Sequence, residues 1–105
     1  MEKGKIMGKN YSAIPDLDLI RVFRKNVGLI MAITHITQVD IGCRIGVSRQ
    51  TINAILNRKN DYQITLKEIV MIRFSIEKLI EEKSKIDERI KELARVYMDE
   101  INELL

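Results

Sequence analysis

The sequence predicts an all-α protein, and three observations carry that prediction. Alternation of apolar and polar residues, the mark of a half-buried strand, is nearly absent. Only five residues are aromatic and only one is proline, while Leu, Ile, Lys and Glu dominate. Apolar positions instead recur three and four apart, the spacing of one helix face. A chain of 105 residues suits one modest core.

The elements follow in order. Residues 1–14 hold three lysines and two glycines without an apolar period, and read as a flexible basic arm. Pro15 marks the edge of a first helix, with Ser12 or Asp16 as candidate caps. Leu17, Ile20, Phe23, Val27, Ile30 and Met31 place that helix at about 16–34. Its second half, GLIMAIT, is apolar nearly all round, so more than one side needs cover. Thr37 reads as the N-cap of a second helix over 38–45. Gly46-Val47-Ser48 is a break: Gly supplies the positive φ of a tight helix exit, and Ser caps a third helix over 49–56. After a polar loop at 57–61, Thr65-Leu66-Lys67-Glu68 is a capping box. No glycine or proline stops the helix that begins there. It can run to about Leu104 or break near Ser84, where Ser84 and Asp87 form a second capping pair.

Apolar residues at 69, 72, 76, 79, 86, 90, 93, 97 and 104 describe a heptad, with Lys83 as the polar exception. Ile80, Ala94 and Ile101 widen the stripe. The sequence therefore divides into the arm at 1–14, a helical domain at 15–76, and an amphipathic, coiled-coil-like helix at 77–105. That last helix is expected to bury itself against a copy from another chain, giving a homo-oligomer with a dimer favoured. Folding back over the apolar end of helix 1 is the alternative. Pair orientation stays open, because a parallel pair sets Glu82 against Asp87 while an antiparallel pair sets Glu82 near Arg89.

The segment 38–57 carries the chemistry. Two short helices joined by a tight turn pack steeply, so the closest crossing needs a tiny residue, which Gly42 supplies. Ile41, Ile45, Val47, Ile52 and Ile55 provide the shared core. Arg49, Gln50, Asn53, Ala54 and Asn57 are left as an outward stripe at spacings of three and four. Such a stripe suits the major groove: Arg pairs with guanine, Gln or Asn with adenine, and the Ala methyl with the thymine methyl. Ser48 at the helix start can offer its hydroxyl or N–H to a phosphate.

With these residues, most of all Thr37-Gln38 and Gly46-Val47-Ser48-Arg49-Gln50-Thr51-Ile52, the chain resembles the phage-repressor (Cro/XRE) type of helix-turn-helix regulator over about residues 17–76. The resemblance implies a double-stranded DNA-binding transcription regulator, a repressor. It implies phosphate contact by Gln38, base reading by Ser48, Arg49, Gln50 and Ala54, and backbone contact by Asn57, Arg58 and Lys59. Together with the stripe, the base-reading set is Ser48, Arg49, Gln50, Asn53 and Ala54. The phosphate set is Gln38, Thr51, Asn57, Arg58 and Lys59. Two departures stand out. Arg58 occupies the place near which the family has a glycine, and helix 1 carries Leu29, Met31 and Ile33 where arginines are usual. A DNA-packaging or partition adaptor of the small-terminase kind and an antitoxin-like protein-interaction module are the alternatives.

The charge distribution agrees with a polyanion partner. Residues 1–60 carry ten Lys/Arg against four acids, a net +6, and residues 61–105 carry eight against eleven, a net −3. Cys43 is the only cysteine, so no intrachain disulfide forms. With no signal peptide or spanning run, the expected location is the cytoplasm. His35 is the only histidine, and it lacks the partners a metal site requires. No carboxylate pair stands apart as catalytic. The expectation is a non-enzyme without a cofactor or metal.

Overall fold

A computed structural model describes residues 15–57, 63–83 and 85–105. Within them lie α1 (Leu17–Thr34), α2 (Gln38–Ile45), α3 (Arg49–Asn57), α4 (Leu66–Glu82) and α5 (Glu88–Leu104), and the described residues contain no strand. The all-α expectation stands. The basic arm at 1–14, the loop cations Arg58 and Lys59, and Ser84 lie outside the described residues.

Each boundary has a local cause. α1 follows Pro15 and Asp16 and ends at His35, which turns left-handed (φ 62°) and donates its N–H to Met31 O at 2.9 Å. Thr37 caps α2 through a full capping box. Its Oγ1 accepts from the Asp40 N–H at 3.1 Å, and Asp40 Oδ2 accepts from the Thr37 N–H at 2.9 Å. α2 ends at Gly46, in the left-handed region at φ 73°. Ser48 Oγ accepts from the Thr51 N–H at 3.2 Å, capping α3. Thr65 and Glu68 close the same reciprocal box at the start of α4.

The core runs through all five helices. Phe23, Val27 and Ile30 of α1 meet Ile41 of α2, Ile52 and Ile55 of α3, and Ile69, Ile72 and Ile76 of α4. Ala94, Met98 and Ile101 of α5 complete it. Arg44 forms two hydrogen bonds to Glu82, at 2.7 and 2.6 Å, which tie α2 to the end of α4.

The chain after residue 66 is two helices, not one. α4 ends with an extended Lys83 (ψ 103°), and Asp87 restarts the helix by accepting from the Arg89 N–H at 2.8 Å. Residue 77, where the sequence suggests a separate tail, lies inside α4. α5 folds back along α1. Asn26 meets Tyr97 and Glu100, while Ile33–His35 line a groove with Ile86 and Ile90, so α1 and α5 run antiparallel.

Of the two covers expected for the stripe, folding back over helix 1 accounts for part of it: Ile80, Ala94 and Ile101 are buried within this chain, and Leu79, Ile86, Ile90 and Tyr97 are half-buried. The register changes as well. Ala94, Met98 and Ile101 face the core, whereas Leu93 and Leu104 of the expected seam are exposed. α5 also supplies cover for the apolar end of α1, where Met31 and Ile33 are half-buried against the core.

Asn26 is the polar link in this pairing. It is 1% exposed, and its Nδ2 donates to Tyr97 O and Glu100 Oε1, both at 2.8 Å. Asn26→Ala is expected to cost about 1–2 kcal/mol, since a net hydrogen bond contributes about 1 kcal/mol. Chemical denaturation of the full chain measures it, and an unchanged midpoint would show that the link adds no stability.

Candidate nucleic-acid interface

α2, the turn at 46–48 and α3 form a locked unit. The Val47 N–H donates to Gly42 O at 2.8 Å. A Cβ on Gly42 would run into the carbonyl oxygen of Val47 and would lie 3.5 Å from Ile52 Cγ1. The requirement for glycine therefore comes first from the backbone of the turn and second from the facing helix. The sequence expectation named only the helix crossing.

α3 turns Ile52, Ile55 and Leu56 inward. Its last turn is held from the other side by Arg24 of α1, whose Nε donates to Ile55 O at 2.8 Å. That carbonyl is one of the last four of the helix, which have no partner within it. Arg24 is a residue that sequence reasoning missed: nothing in its spacing points to α3.

The outward side of α3 carries the residues expected to read bases. Ser48, Arg49, Gln50 and Asn57 are exposed, while Asn53, Ala54 and Thr51 are half-buried along the same helix. Gln38, at the first position of α2, is half-buried and reaches across to α3, where its Nε2 donates to Asn53 Oδ1 at 3.1 Å. Asn57 Nδ2 donates to that same oxygen. The Ser48 hydroxyl serves the helix cap and also bonds the Thr51 hydroxyl at 3.1 Å, so these two hydroxyls form a local pair at the start of α3. Structure thus gathers Gln38, Ser48, Arg49, Gln50, Thr51, Asn53, Ala54 and Asn57 on the α2–α3 unit.

Cations outnumber acids on this unit, which carries Arg44 and Arg49 against Asp40. Residues 41–60 contain Arg44, Arg49, Arg58 and Lys59 and no Asp or Glu. Arg44 is engaged by Glu82, but Arg49 projects from the first turn of α3 with no acid in that turn. Cys43 is exposed on α2. Among the described residues no group of three or more His, Cys, Asp or Glu is placed to hold a metal ion, and no helix is long and apolar enough to cross a membrane. Comparison with protein-family models, curated proteins and solved structures returns no match for this chain.

Proposed function

We propose that this protein is a sequence-specific transcription regulator, a repressor, that lays α3 in the major groove of duplex DNA. The observation that carries the reading is the outward face of α3. Arg49 and Gln50 stand exposed on a helix whose other side is fixed in the core, in a 20-residue stretch free of acids. A rigid helix with a protruding guanidinium and amide is what base-edge recognition requires. Arg49 and Gln50 read bases with Ala54 against a thymine methyl. Gln38, Thr51 and Asn57, together with the loop cations Arg58 and Lys59, contact the backbone. The protein acts as a homodimer on a two-fold related site. The surface for that contact is the outer side of α5, where Leu93, Val96 and Leu104 remain 41%, 53% and 45% exposed.

Selection of bound sites from random duplex DNA tests the reading, with sedimentation of the same protein alongside. Arg49→Ala and Gln50→Ala are each expected to weaken binding by about 1–3 kcal/mol and to relax preference at particular base pairs. If both variants select the same motif as the wild-type chain, base reading by α3 is wrong. A monomer at micromolar concentration removes the dimer and leaves the DNA contact standing.

A further inference from the structure

Two hydrogen bonds on the polar face of α3 meet on a single atom. Asn53 Oδ1 accepts from Gln38 Nε2, which comes from α2, and from Asn57 Nδ2, one turn further along α3. A side-chain amide oxygen has two lone pairs, and here both have a donor. Reading adenine with an asparagine requires this same oxygen to accept from the exocyclic amino group while Nδ2 donates to N7. Asn53 can make that pairing only by releasing Gln38 or Asn57.

The two donors stand at opposite ends of the α2–α3 unit: Gln38 opens α2, and Asn57 closes α3. Each amide nitrogen gives one N–H to Asn53 and keeps a second. A phosphate oxygen needs no more than that second N–H. Free Gln and Asn side chains lose rotamer entropy when DNA orders them, and a clip that orders them beforehand removes part of that cost.

Building on the DNA-binding reading above, we propose that Asn53 is a positioning residue and not a base reader. Its oxygen clips Gln38 and Asn57 so that their remaining N–H groups meet the duplex backbone at a set spacing. Base discrimination is left to Arg49, Gln50 and Ala54. Asn53 thereby couples the first residue of α2 to the last of α3, and either phosphate contact depends on it.

The test uses the full chain in two arms. In free protein, side-chain amide NMR signals of Gln38 and Asn57 are expected to move on Asn53→Ala and to stay close to wild type on Asn53→Asp, which keeps an acceptor in place. Unmoved signals in Asn53→Ala overturn the clip without reference to DNA. In the second arm, Asn53→Ala, Gln38→Ala and the double variant are titrated against the selected duplex and its single-base-pair variants. Asn53→Ala should raise Kd about tenfold on every duplex, the effect of one or two neutral hydrogen bonds. The ranking of base pairs and the salt slope should not change, because neutral amides release no counterions. The double variant should bind no more than about twofold weaker than the weaker single one, since residues acting through each other are not additive. A changed preference at one base pair, or fully additive losses, overturns the positioning role while DNA binding stands. A wild-type chain that selects no sequence from random DNA defeats the regulator reading itself, and with it this one.

Discussion

Removal of residues 88–105 is expected to abolish cooperative folding and yield an aggregating chain. The deletion takes Met98 and Ile101 out of the core, at 3% and 0% exposure, and removes both partners of the buried Asn26 side-chain amide. Burying one such side chain contributes about 1.5–3 kcal/mol. Domains of this size have a net stability of only about 5–15 kcal/mol, so losing α5 together with its contacts to α1 exhausts most of it. Thermal unfolding by circular dichroism and sedimentation of the truncated chain check this. A cooperative melt with a monomeric mass would show that α5 is dispensable to the core and would restore the tail as an independent module. Ile101→Asp makes the same test within the full chain. A carboxylate at a position with no exposure should cost at least about 3 kcal/mol.

Gly42→Leu should have the second-largest effect, on both stability and DNA affinity. The new Cβ collides with a backbone carbonyl, that of Val47, which cannot rotate away as a side chain would. Relief requires the turn at 46–48 to move, breaking the bond from the Val47 N–H to Gly42 O and shifting the start of α3. Overpacking of this kind costs about 3 kcal/mol or more when backbone must shift, a fall in Tm of about 12 °C or more for a domain of this size. Gly28→Ala is the matched control. Gly28 lies in α1, is exposed, and has nothing within 4 Å of an added Cβ. Replacing a glycine there should stabilise by about 0.5–1 kcal/mol. Equal melting points for Gly42→Leu and wild type would place residue 42 away from the turn.

Where each helix of the α2–α3 unit begins and ends was legible in the sequence, because those signals are local. A capping residue acts on an N–H two or three positions ahead, so Thr37, Ser48 and the Thr65–Glu68 box mark their helices without knowledge of the rest. The inward set of Ile41, Ile52 and Ile55 followed from periodicity for the same reason. The outward stripe is what remains when the inward set is removed. Arg49 and Gln50 therefore stood out before any contact was known. Arg24 did not, since its hydrogen bond to Ile55 joins residues 31 apart and exists only once α1 lies beside α3. The clip on Asn53 divides between the two cases. Its bond to Asn57 spans one helical turn, but its bond to Gln38 depends on how α2 crosses α3.

The tail shows the boundary most clearly. By itself the sequence determined that the stretch from residue 66 is helical, that it carries a broad apolar stripe, and that the second half of α1 needs cover. It offered the meeting of these two demands only as an alternative to pairing with another chain. An apolar face specifies that water must be excluded, not which surface excludes it, because the hydrophobic effect is non-directional. Only the tertiary structure decided that α4 stops at Lys83, that Asp87 starts a new helix, and that α5 returns antiparallel along α1. A connection of five residues, 83–87, holds α5 beside its own domain at an effective concentration on the order of millimolar. Against that, a copy of the same helix in another molecule at micromolar concentration competes poorly for the face of α1.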